Sequence, residues 1–156
     1  MGSRDMRDLL KLAEAVVSSA RINYVKQTMG EFKIVGNGAV DKLDQSINVV
    51  HEIDDEEENE ITTECQFKLI GIDSGNQDQQ VLMISANFSA SYNLENSFDA
   101  KEVDAFARVG GAYNCWPFWR EYIHQACCRL QITPLTAPLM TAAKFAKLVA
   151  KDPKED

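Results

Sequence analysis

The chain lacks any long apolar run. In "MGSRDMRDLLKLAEAVVSSARINY" the leucines and valines are interrupted by Lys11 and Glu14, so the segment reads as neither a signal peptide nor a spanning helix. Without an export signal the expected location is the cytoplasm, and no membrane partner is expected. Histidines number only two and cysteines four, with no CxxC pair. Cys127 and Cys128 are adjacent and point about 100° apart on a helix. Neither combines with His51 or His124 at a zinc-knuckle spacing, and the thiolate pairs of a structural zinc site are missing, so no metal and no cofactor is expected. Glycine-rich phosphate loops are missing too, because "RVGGAYN" lacks the P-loop lysine and follows a helix. Basic residues are outnumbered 16 to 24, a formal charge of −8, which disfavours nucleic acid as a partner.

What is present is an ordinary soluble composition, 45% hydrophobic and 26% charged, over 156 residues, read as one domain, 1–156. Residues 1–3 read as a cloning remnant and 151–156 as a flexible tail. Leu9, Leu12, Ala13, Val16, Val17 and Ala20 recur at steps of three and four, predicting a helix over 4–19. The period then shortens to two. Ile22 and Tyr24 alternate with Asn23 and Val25, and Phe32 and Ile34 continue a first strand bent at Gly30. "GNG" at 36–38 marks a loop, and a second strand spans 46–53.

The acidic run "DDEEENE" at 54–60 belongs at a solvated connection; it lacks the spacing of a calcium loop. Two more strands follow, 61–73 and 80–94, the latter with Leu82, Ile84, Ala86, Phe88, Ala90, Tyr92 and Leu94 on one side. Four strands with no βαβ crossover predict an antiparallel sheet. Asp99 and Glu102 form a capping box, Gly110-Gly111 reads as a helix stop, and Pro117 as the opening of a second helix. A short last helix is expected over 141–150. The fold class is α+β: a four-stranded antiparallel sheet with an N-terminal helix and C-terminal helices packed on it.

The stretch "CWPFWREYIHQACCRLQITPLTAPL" (115–139) gathers both tryptophans and three cysteines. A Cys115 nucleophile served by a histidine would need the two to meet in space, which four cysteines and two histidines always allow in principle. Small hydrophobic filling is the plainer role. No catalytic residue is assigned and no enzyme is expected.

The block "GGAYNCWPFWREYIHQACCRLQITPLTAPLM", with Gly111, Tyr113, Pro117, Phe118, Arg120, Glu121, Pro134, Leu135, Pro138 and Leu139, resembles the SecB-type export chaperones and their SecB-like relatives. The early "LLKLAEAVVSSARINYVKQ" is similar to the toxin-antitoxin-associated branch. The resemblance implies an ATP-independent holdase, a homo-oligomer built as a dimer of dimers, taking unfolded or preprotein polypeptides into apolar grooves. It implies groove residues Ile22, Tyr24, Phe88, Tyr92, Tyr113, Trp116 and Phe118, and interface residues Trp119, Ile123, Cys127 and Leu130. Partners would be the translocation ATPase or, in a dedicated chaperone, an antitoxin. Glu64 beside Lys68 and a tail of mixed charge depart from the acidic surface exporting members offer that ATPase. A narrow interaction protein for a single partner is the alternative of a different class.

Overall fold

Alternation of apolar and polar residues builds four long strands, and two segments of helical period form helices, the longer of which covers one side of the sheet. The computed structural model describes residues 3–53, 59–133 and 135. Helix α1 spans Ser3–Val17, followed by β1 (Ala20–Ile34), β2 (Lys42–Ile53), β3 (Glu60–Asp73), β4 (Gln79–Leu94) and helix α2 (Ala100–Leu130). The four-stranded sheet has the order β1-β4-β3-β2, antiparallel throughout. The acidic residues 54–58, the proline at 134 and the expected helix over 141–150 lie outside the described residues.

The β1–β2 connection must cross the ends of both inner strands, a span of roughly 14 Å at ordinary strand spacing. It does so held by backbone bonds, Val35 N to Val81 O at 2.8 Å and Asp41 N to Ile72 O at 3.0 Å. The glycines of "GNG" serve this crossing. Gly38 takes φ 143°, and a side chain on Gly36 would come within 2.6 Å of the Gln80 carbonyl.

Helix α2 corrects the expectation of a stop and a restart. It runs unbroken for 31 residues through Gly110-Gly111 and Pro117, about 46 Å. Gly111 is there for packing. A Cβ at that position would stand 3.0 Å from Thr63 Oγ1 and 3.4 Å from Cys65 Sγ, so glycine lets the helix descend onto β3. Pro117 forfeits one amide bond, which burial of Trp116 and Trp119 on either side offsets.

The N-terminus of α2 is as expected: Glu102 N donates to Asp99 Oδ1 at 2.8 Å and Asp99 N to Glu102 Oε1 at 3.3 Å. At the other end Gln131 adopts φ 56° while the Ile132 amide reaches back to Cys127 O at 3.1 Å. A side chain pays for the left-handed region that glycine enters freely. Gln131→Gly is therefore expected to raise stability by about 1 kcal/mol, read as a higher urea midpoint with unchanged slope.

The core lies between the sheet and α2, with α1 laid against α2 through buried Ala13 and Val16. Phe67 of β3 is its centre. The ring stacks on Trp119 at 5.2 Å between centroids, meets Trp116 at 6.1 Å, and takes Phe88 edge-on at 6.0 Å.

Candidate functional site

Register decides which side chains share a face. Antiparallel partners point the same way, so Leu82, Ile84, Ala86, Phe88, Ala90 and Tyr92 of β4 carry their β1 and β3 partners onto the helix side. On β1 the alternation slips twice, at Asn23 and at Thr28, each an extra residue opposite an unbroken β4. Both extras are tied to β4. Asn23 Nδ2 donates to Ser91 Oγ at 3.3 Å and Thr28 Oγ1 to the Asn87 carbonyl at 3.3 Å. Ile22, paired with Tyr92, therefore faces the helices, whereas Tyr24, paired with Ser91, faces the opposite surface. The simple alternation that put Ile22 and Tyr24 on one side does not hold, because a bulge inverts the phase.

The outer surface carrying Tyr24 is largely polar. Ser85, Asn87, Ser89, Ser91 and Asn93 line β4 there, and Glu64 and Glu60 of β3 accept from Asn87 Nδ2 at 3.3 Å and Ser91 Oγ at 3.1 Å.

On the helix side the covering is incomplete. α2 shields the two inner strands and the middles of both edge strands: Ile47 of β2 is buried in the core, and on β1 Tyr122 lies edge-on to Phe32 at 6.2 Å with its hydroxyl filling the space beside Gly30. The apolar positions at both margins stay open: Ile22 and Ile34 of β1 are 47% and 49% exposed, and Leu43 and Ile53 of β2 are 44% and 47%. Phe118 of α2, 43% exposed, has its ring 6.3 Å from Phe88 of β4. Tyr113 is 55% exposed on the same helix. Ile34, Leu43 and Ile53 were not singled out from sequence; the period-2 pattern places them on the apolar side, but only the path of α2 leaves them uncovered.

Three residues expected to line a groove are instead shut inside the protomer. Phe88 lies between Phe67 and Phe118. Trp116 covers Phe67. Tyr92 packs edge-on against Phe106 at 5.0 Å and accepts from Asn114 Nδ2 at 2.8 Å; burial, partly opposed by that bond, drives its phenol well above the usual range. The residues assigned to an interface are also inward. Trp119, Ile123 and Cys127 are buried in the core, and Leu130 is half-buried at its rim.

The candidate nucleophile Cys115 is enclosed in the core. Cys115 is buried beside Cys65, whose thiol is pushed up by the Cys115 hydrogen bond and then by burial. A reactive thiolate needs the opposite surroundings. His51 faces Asp104, Nδ1 to Oδ1 3.7 Å, and His124 faces Cys128. Among the described residues no helix is long and apolar enough to cross a membrane.

The architecture is an antiparallel sheet with edge strands β1 and β2, one long helix across one face and open apolar margins beside it. The fold is that of the SecB-like chaperones. The structure is similar to a Mycobacterium tuberculosis SecB-like chaperone solved in complex with a ChAD peptide from the HigA1 antitoxin, with TM-score 0.72, 19% identity, and coverage of 85% of this chain and 99% of that one. A protein of unknown function from Streptococcus agalactiae matches at TM-score 0.46 and 10% identity, covering 77% of this chain and 97% of that one. No family model and no curated protein matches the sequence.

Proposed function

We propose that this chain is a chaperone that holds non-native polypeptide without nucleotide, using the open apolar margins of its helix-side face. The observation that carries the reading is the coincidence of two features on β1 and β2. Each is an edge strand, whose outer backbone groups can pair with an extended chain, and each presents exposed isoleucine or leucine side chains on the side where α2 lies. An unfolded segment offers the complements of both, unpaired amides and apolar side chains. Recognition through such contacts needs no sequence motif.

On this reading the protein acts in the cytoplasm as a homo-oligomer, a dimer of dimers. Trp119, Ile123 and Cys127 support that assembly from inside the protomer, by fixing α2 on the sheet. Ile22, Tyr113 and Phe118 are the proposed client contacts retained from the groove set.

A second reading is favoured by the antitoxin peptide bound to the structural relative: a chaperone dedicated to one antitoxin with an exposed apolar segment. Light scattering of an aggregating, chemically unfolded substrate separates the two. A general holdase suppresses scattering at stoichiometric ratio without ATP. A dedicated chaperone leaves that substrate unprotected yet binds the exposed segment of its antitoxin, measured by fluorescence anisotropy. Absence of both activities rejects the proposal.

A further inference from the structure

The last turns of α2 carry a residue pair that polypeptide binding does not use. His124 and Cys128 stand one helical turn apart on the exposed side, Nε2 to Sγ 3.8 Å. Their neighbour Cys127, rotated by about 100°, is buried in the core instead. A tetrahedral ion about 2.0 Å from an imidazole nitrogen and about 2.3 Å from a thiolate sulfur holds those atoms about 3.6 Å apart. The observed spacing meets that bite with little side-chain movement.

We propose that His124 and Cys128 form a two-ligand surface site for a borderline or soft d10 cation, zinc or cadmium in class. The donor set selects this class: a thiolate disfavours magnesium and calcium, and neutral imidazole suits zinc. On binding, Cys128 gives its thiol proton to solvent and the sulfur lone pair forms the metal–sulfur bond, while Nε2 donates its lone pair with the ring proton on Nδ1. No group of three or more His, Cys, Asp or Glu residues that could hold a metal exists among the described residues, so the remaining positions fall to solvent or to a second molecule. Glu121, one turn before His124, has its Oε1 occupied by Gln125 Nε2 at 3.2 Å. The ion would clamp the turn from His124 to Cys128, just before the left-handed Gln131, stabilising the end of α2 through preferential binding to the folded chain.

The test uses the full-length reduced protein titrated with cadmium. Thiolate-to-metal absorption in the ultraviolet and the thermal midpoint are read in parallel. The expected result is absorption saturating at one ion per chain with a rise in the midpoint. Both should weaken about tenfold or more in affinity in Cys128→Ser and in His124→Ala. Both side chains are solvent-facing, and circular dichroism of the metal-free variants verifies that α2 is intact. The proposal is overturned if the absorption persists in Cys128→Ser, if His124→Ala binds as tightly as the parent, or if the midpoint does not move. None of these readouts depends on client binding, so the chaperone reading and this one fail separately.

Discussion

Trp119→Ala lowers the free energy of unfolding by about 3–5 kcal/mol, the range for deleting a large buried aromatic. Trp119 is fully enclosed, stacks on Phe67 at 5.2 Å and on Tyr122 at 6.3 Å, and donates Nε1–H to Gln45 Oε1 at 3.3 Å. Removing it empties the space between α2 and β3 and leaves the Gln45 amide oxygen without its donor. Trp119→Phe keeps the stacked ring and costs about 1–2 kcal/mol. Urea denaturation followed by circular dichroism at several protein concentrations is the check. A loss that vanishes on dilution would instead put the indole between subunits, where the sequence resemblance had it.

The second large effect concerns binding. If the chain is the holdase proposed above, Ile22→Asp combined with Phe118→Asp is expected to reduce capture of unfolded substrate about tenfold or more, since a client would have to desolvate a carboxylate at each of two places that now offer apolar surface. Both parent side chains are more than two-fifths exposed, so the unfolding free energy shifts by about 1 kcal/mol or less. Scattering suppression and urea midpoints measured on the same preparation separate the two quantities. Undiminished capture by a folded double variant would move the client site away from Ile22 and Phe118.

The parts of this molecule readable from sequence are those governed by local period. Strand alternation in β2, β3 and β4, the amphipathic α1 and the Asp99–Glu102 box follow from neighbours a few residues apart, and they emerge with ends shifted by a few residues. Gly110-Gly111 reads locally as a helix break, and a long-range requirement overrides it: α2 takes a residue without a side chain, Gly111, where it crosses Thr63 and Cys65. The candidate site was legible only in part for the same reason. Whether Phe88 or Phe118 meets water depends on where α2 lies across the sheet, which no periodicity encodes. The inversion at Tyr24 depends on a bulge whose only local hint is a small polar residue, Asn23.

Asn23 and Thr28 also give β1 something β2 lacks. They are spare length, taken up outside the pairing ladder, and either could be drawn in to absorb the loss of a nearby residue while the remaining pairs keep their places. The twelve unbroken pairs between β2 and β3 contain no such reserve, and there a one-residue deletion would turn every side chain beyond it inside out. Natural length variation in this molecule should therefore collect at one border of the sheet and spare the other.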